Sequence, residues 1–121
     1  MTEKFPYAAK LDIEFKYLDF IDIPAIIKDS TEKWFNQMLT KVNENVVRVG
    51  VFQGEYHWHK HDNDDEFFFV LEGQLLIDIQ DRVIELNPHQ GVTILKDVIH
   101  RLRAPHKTVV LIMGNQRHLA Y

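Results

Sequence analysis

Histidines crowd one short stretch of the chain. His57, His59 and His61 alternate within it, and Glu66 follows after a polar turn at 62–65. Alternate residues of an extended strand face the same side, with Cα atoms about 6.5–7 Å apart, so His59 and His61 can bind one ion. The turn returns the Glu66 carboxylate to the imidazoles. Two imidazoles and a carboxylate suit Fe(II) and neighbouring divalent metals, and they leave coordination positions open for other ligands.

A single His-x-His pair is also compatible with surface histidines on a polar hairpin, so the surrounding elements matter. From Val46 onward the chain consists of short runs of Val, Ile, Leu and Phe. Turn signals separate them, among them Gly54, Gly73 and Asn87-Pro88, with further breaks at Lys96-Asp97 and Ala104-Pro105. Runs spaced about 8–12 residues apart, with no helix-length segment between them, predict an all-β sandwich or barrel of about seven or eight strands.

The first 45 residues differ from the rest of the chain in the pattern of their apolar residues. Pro24 follows Asp22 closely, which predicts a short helix over 22–28. The apolar residues between Phe35 and Val42 fit helical spacing, yet they lead into an alternating strand, and the pattern leaves helix and strand open. We therefore expect a single domain in which an N-terminal segment, residues 1–45, packs on a barrel formed by residues 46–121.

One predicted strand, residues 66–71, is apolar on both faces. Glu66, Phe68 and Val70 point one way, and Phe67, Phe69 and Leu71 point the other. Both faces should therefore be covered. The N-terminal segment or a second copy of the chain could cover the outer aromatic residues, and the second possibility predicts a homodimer.

Composition excludes several classes of function. The chain has 121 residues with 14 basic and 18 acidic side chains, and this formal charge of −4 lacks the basic surplus that nucleic-acid binding requires. No apolar run approaches the roughly 20 residues that span a bilayer. The absence of cysteine excludes disulfides, thiolate metal sites and a cysteine nucleophile. With no apolar leader at the start, we expect a cytoplasmic protein.

Two segments resemble the motifs of the cupin superfamily. Gly54, His59, His61, Glu66 and Gly73 follow the order of the first cupin motif. The spacing from Glu66 to Gly73 is that of the family, whereas Gly54 stands one residue closer to the histidines than usual.

The second motif is matched in length by the segment from Pro88 to His100, with His100 in the ligand position. Leu95 replaces the usual proline, and His89 and Asp97 stand where glycines are usual. Asp97 tolerates a left-handed turn better than most residues, so the turn geometry can be kept.

The resemblance implies a cupin-type double-stranded β-helix, a jelly-roll barrel of six to eight antiparallel strands with a metal near one open end. It implies that His59, His61, Glu66 and His100 are the ligands of one divalent ion per chain. The ligands do not distinguish Fe, Mn, Ni and Zn, because occupancy depends on availability as much as on geometry.

The same resemblance leaves three functions open. A metal in such a barrel can serve an oxygenase or an isomerase that acts on a small metabolite, and His57 would then be the candidate general base. A non-catalytic module that binds or senses a sugar or another small molecule is the alternative. A metal-free storage or scaffold role fits the ligand set poorly, and the lack of an appended signalling domain favours the enzyme.

Further residues have structural interpretations. His57 shares the parity of His59 and is expected near the site, whereas Tyr56, Trp58 and Lys60 have the opposite parity and are predicted to lie outside the barrel. Arg101 and Arg103 are interpreted as surface charge, and Arg48 is left open between surface charge and an anion-binding role. Apolar residues predicted to line or floor the barrel are Phe68, Val70, Ile77, Ile79, Leu102, Val110 and Ile112.

Overall fold

The computed structural model describes residues 8–10, 12–28, 30–31, 33–60 and 64–115. In this part of the chain it contains one helix and eight strands. In chain order they are β1 (Ala8–Lys10), α1 (Ile23–Ile27), β2 (Trp34–Val42), β3 (Asn45–Glu55), β4 (Glu66–Glu72), β5 (Leu75–Ile79), β6 (Arg82–Leu86), β7 (Gly91–Ile94) and β8 (Arg101–Asn115).

The longest strand, β8, organises the sheet. The strands follow the order β1-β2-β3-β8-β4-β7, and β5 pairs with both β8 and β6. All pairs are antiparallel except β1 with β2. The all-β jelly-roll prediction is therefore confirmed. None of the described helices is long and apolar enough to cross a membrane.

Among the described residues, six strands follow residue 44, compared with the seven or eight expected after Val46. The predicted break at Ala104-Pro105 is wrong, because β8 continues through it. On the β3 side the register passes from Ala104 to Thr108 at a bulge, so Pro105 is not needed as a hydrogen-bond donor there.

For the N-terminal segment, the structure confirms the predicted helix and decides the stretch that the sequence left open. The short helix is confirmed as α1, where the Asp22 carboxylate accepts a hydrogen bond from the amide of Ala25 and Pro24 lies in the first turn. The ambiguous segment from Phe35 to Val42 is a strand, because β2 pairs with β1 on one side and β3 on the other. Residues 34–39 are all buried, which explains why alternation was not visible in the sequence.

The barrel interior holds the main apolar cluster. The predicted lining residues belong to it, and all are buried except Ile79, which is half-buried at its margin. Phe52, Leu75 and Leu86 also belong to this cluster. This apolar interior surrounds the buried side chains of Glu66 and His100, which are candidate metal ligands.

A second cluster lies on the outside of the sheet. Apolar residues of the segment 15–27 pack over Leu39, Val49 and Val109, together with Leu71 and Leu111. Phe67 and Met113 remain 37% and 39% exposed. The N-terminal segment therefore covers part of the outer apolar face, and an aromatic margin around Phe67 and Phe69 stays outside that cluster.

In the segment that leads to His100, two non-glycine residues take a left-handed backbone. The φ angles of His89 and Asp97 are 70° and 68°. The expectation that Asp97 can keep this turn is confirmed, and His89 does the same before β7.

Candidate metal centre

Three potential donors meet inside the barrel. His59 and His100 form an isolated β-bridge in which each amide donates to the other's carbonyl at 2.9 Å. Their ring centroids lie 4.4 Å apart. Glu66, the first residue of β4, completes a group whose donor atoms all lie within 4.8 Å of one another. Glu66 and His100 are buried, and His59 is half-buried.

Backbone carbonyls fix both imidazoles. His59 Nδ1 lies 3.1 Å from the carbonyl oxygen of His57, and His100 Nδ1 lies 2.9 Å from that of Val98. A carbonyl oxygen can only accept, so each Nδ1 carries the proton. Each Nε2 is then the nitrogen with a lone pair, which is the arrangement that orients histidine ligands in metal sites.

The donor group fits a divalent ion. Bonds of about 2.1 Å place two donors on one ion up to about 4.2 Å apart. The observed spread of 4.8 Å therefore requires a contraction of less than about 1 Å. Two neutral imidazoles and a carboxylate match the chemistry of first-row divalent metals.

His61, the fourth ligand implied by the resemblance, lies outside the described residues. Its part in the centre therefore stays a prediction.

Glu66 has a second partner within the barrel. Arg48 on β3 donates a hydrogen bond from Nη2 to Glu66 Oε2, and the two form an ion pair. Their side chains are only 5% and 2% exposed. The register explains the contact, because β8 lies between β3 and β4 and presents Ile112 beside Arg48 and Gly114 beside Glu66. Arg48, left open in the sequence, is therefore part of the site.

The cavity beside these groups is small. Its polar lining residues are Asn36, Arg48, Tyr56, His59 and Glu66. The centre of a water-sized sphere can move through about 10 Å³ of it, close to the space that one water molecule needs.

Apolar side chains form the remaining wall of the cavity, with Phe52, Phe68, Leu102 and Ile112 as its members. Gly50 makes room for one of them, because a side chain there would collide with the ring of Phe52. The apolar wall lowers the local dielectric, so charges in the cavity interact more strongly than they would in water.

Asn36 on β2 also faces the cavity, and it was not recognised in the sequence. The residue is 4% exposed, and its Oδ1 has no hydrogen-bond partner among the described residues. A buried polar atom without a partner is uncommon and calls for a physical explanation.

The prediction for Tyr56 is wrong. Tyr56 is buried, lines the cavity and packs against Trp34 with ring centroids 5.0 Å apart. The register shifts between Phe52 and Gly54, and β3 ends at Glu55, so the alternation that placed Tyr56 outside does not extend to it. Trp58 and Lys60 are exposed, as predicted.

His57 is half-buried beside the centre. Its ring lies 4.2 Å from the ring of Tyr56 and 5.2 Å from that of His59. It is not among the residues that line the cavity. The hydrogen bond that it makes with His59 is accepted by its carbonyl oxygen.

Arg101 and Arg103 lie on the outside of the barrel, as predicted, but they are not simply solvated. Both donate to Asp78 on β5, Arg103 through Nε and Nη2 at 2.6 and 2.7 Å and Arg101 through Nε at 3.0 Å. The hydrogen bond from Arg103 holds the pKa of Asp78 below its ordinary value; burial opposes this, and Arg101 adds to it. Asp78 in turn raises the pKa of Arg103.

The sequence profile of the family described as "Cupin domain" matches residues 45–114, more than half of the chain. The chain belongs to the cupin family. The match begins with β3 and ends within β8, so it contains His59, Glu66 and His100 as well as Arg48.

Relatives of this cupin carry little functional information. It is 40% identical over 94 residues to the uncharacterized protein YdbB of Bacillus subtilis, covering 77% of this chain and 83% of that one. A crystal structure of a cupin-2 domain protein from Shewanella frigidimarina is similar with a TM-score of 0.73 and 27% identity, over 77% and 91% of the two chains. Protein NMB1881 from Neisseria meningitidis shares the fold at 19% identity and a TM-score of 0.71, over 80% and 99%.

Proposed function

We propose that this cupin binds one divalent metal ion through His59, Glu66 and His100, with His61 as a fourth ligand, and acts on a small metabolite as an oxygenase or isomerase. The observation that supports the proposal most directly is the convergence of two oriented imidazoles and a carboxylate within 4.8 Å, inside an apolar barrel.

Each part of the centre has a definite task in this proposal. A bound divalent ion would supply Lewis acidity or oxygen activation. The backbone carbonyls keep the imidazole Nε2 atoms directed at the ion. Glu66 offsets part of the ion's charge, and the apolar wall limits water in the cavity. We propose His57, whose ring lies 5.2 Å from that of His59, as the general base.

A non-catalytic binding or sensing module is the second candidate. The buried Arg48 favours it, because a guanidinium inside an apolar barrel is a strong binding group for an anionic small molecule. Both candidate functions use the metal centre, but only the enzyme converts its ligand into a product. Conversion of a ligand at a rate that His57→Ala lowers supports the enzyme, whereas stoichiometric binding without conversion supports the module.

Elemental analysis of the purified, tag-free chain tests the metal centre. The expected result is about one divalent ion per chain in the parent and almost none in the double variant His59→Ala/His100→Ala. His106→Ala, which removes an exposed histidine, is the control and should keep its metal. A parent protein that stays metal-free after reconstitution with iron, manganese, nickel and zinc would refute the proposal.

We further propose that the chain is a single-domain cytoplasmic protein that forms a homodimer through the margin around Phe67, Phe69 and Met113. The absence of cysteine is consistent with a reducing compartment. The partly exposed aromatic margin supports the dimer. Sedimentation of the parent as a dimer, and of Phe67→Lys as a monomer, is the expected result.

A further inference from the structure

Among the described residues, the charges that line the cavity balance only when no cation is present. Arg48 and Glu66 are the charged residues in this described lining, and together they are neutral. The two imidazoles are neutral when they act as ligands. A divalent ion therefore adds two positive charges to a site with an apolar wall. Burying such an excess is costly unless an anion enters with the ion.

Glu66 cannot satisfy Arg48 and a metal ion equally well. Its carboxylate is the charged partner of Arg48 in the present arrangement. When an ion attracts that carboxylate, the guanidinium loses the part of its counter-charge that Glu66 provides, while it remains beside Ile112 in the barrel wall. A carboxylate is the anion that matches a guanidinium best, because it can accept two parallel hydrogen bonds.

Asn36 adds a second requirement for the ligand. Asn36 lines the same cavity, and no donor reaches its Oδ1 from the residues that the structure describes. A hydroxyl group next to the ligand's carboxylate would supply that donor. The free volume is close to that of one water molecule, so in this proposal Arg48 moves away from Glu66 to admit a ligand of a few non-hydrogen atoms.

We propose that Arg48 and Asn36 form the organic-ligand subsite of the metal centre and that they bind a small hydroxycarboxylate. Its carboxylate pairs with Arg48, and its hydroxyl donates to Asn36. This subsite rests on the proposed metal centre. Because the ion withdraws Glu66 from Arg48, ion and hydroxycarboxylate bind cooperatively, and each raises the affinity for the other by the same factor.

Calorimetric titration of the full chain with glycolate tests the subsite, with Zn²⁺ as a redox-inert ion. The parent loaded with Zn²⁺ should bind glycolate at least tenfold more tightly than the metal-free parent. Arg48→Gln should weaken glycolate binding to the Zn²⁺-loaded protein at least tenfold. The same variant should bind Zn²⁺ alone at least as tightly as the parent, because the guanidinium no longer competes for Glu66.

Matched ligands and variants distinguish the contribution of Arg48 to ligand binding from that of Asn36. Asn36→Ala should weaken glycolate about fivefold and leave acetate, which lacks the hydroxyl, unchanged. Arg103→Gln removes an arginine from the outside of the barrel and should change neither affinity. Arg48→Lys keeps the charge without the planar pair of donors, and it should weaken glycolate binding even if Arg48→Gln does not fold.

The outcomes distinguish this subsite from the metal centre. Failure of the parent to bind Zn²⁺ would overturn both proposals. Zn²⁺ binding with equal glycolate affinity in the parent, Arg48→Gln and Arg48→Lys would overturn the subsite alone. Removal of Zn²⁺ from the parent by glycolate, measured as the zinc content after titration, would also overturn it, because cooperative binding requires the ion to be held more tightly.

Discussion

Two arginine–carboxylate groups among the described residues share their chemistry and differ in their surroundings. Inside the barrel, Arg48 meets Glu66, and both side chains are almost fully buried. Outside, Arg101 and Arg103 share Asp78, and the two arginines are 26% and 29% exposed. The outer group satisfies its carboxylate from two sides. In the inner pair, Glu66 can exchange Arg48 for another partner, because its carboxylate is also a donor of the candidate metal centre.

We infer that the inner pair allows ligand exchange, whereas the outer group stabilises the fold. Buried ion pairs seldom stabilise a fold more than apolar residues of the same volume, since desolvation offsets their attraction. An outer group with several charge-assisted hydrogen bonds joins β5 to β8 at a smaller desolvation cost. Three substitutions test this division of roles.

Glu66→Gln should have the largest effect on the metal-free protein. It deprives the buried guanidinium of Arg48 of its counter-charge, and breaking such a pair from one side costs about 3–5 kcal/mol. Urea unfolding measures the loss. The double variant Arg48→Met/Glu66→Leu is the matched control and should unfold within about 1 kcal/mol of the parent. A double variant as unstable as Glu66→Gln would show that the inner pair serves stability after all.

Asp78→Asn should destabilise the chain by about 1–2 kcal/mol at pH 7, less than the inner substitution, because its arginine partners are partly solvated. The pKa of Asp78 lies below its ordinary value of 3.8 in the folded state, so its contribution is present above that value. It is lost as the pH falls through the lowered folded-state pKa. Unfolding free energies of parent and variant should therefore converge in strong acid.

Asp81→Asn, in an exposed turn, is the control for this pH dependence and should differ little from the parent at any pH. A gap between the parent and Asp78→Asn that persists unchanged into strong acid would contradict a role for the charge of Asp78.

Trp58→Ala should have the smallest effect. The guanidinium of Arg101 lies 5.1 Å from the centre of the Trp58 ring, and Trp58 is 49% exposed. A cation–π contact at such a site contributes about 0.5 kcal/mol. Urea unfolding measures this as well, and a loss as large as that of Asp78→Asn would mean that the ring, rather than the carboxylate, holds Arg101.

The features predicted from the residues themselves are those governed by local rules, whereas His100 was predicted from the family resemblance. The return of Glu66 to His59 was expected because only six residues separate them, and the left-handed turn at Asp97 follows from its side-chain chemistry. Both depend on neighbours a few residues apart. The all-β class followed from the spacing of apolar runs and turns, which is also a local property.

The features that the sequence did not predict depend on distant strands. Arg48 meets Glu66 because β8 lies between β3 and β4, and no local pattern encodes that order. An arginine at an inward position of an apolar strand was the available signal. Tyr56 turned inward because the register shifts after Phe52, and parity cannot be carried across a bulge.

The position of β8 in the chain also sets the order in which the centre can be assembled. During synthesis, β3 and β4 leave the ribosome before the strand that joins them, and His100 follows both of the other described donors. A nascent chain that ends before His100 therefore has two of the three described donors and lacks β8, the strand that joins β3 to β4. The full set of three donors is assembled only after β8 has docked between β3 and β4, so metal binding at this centre would be coupled to that late folding step.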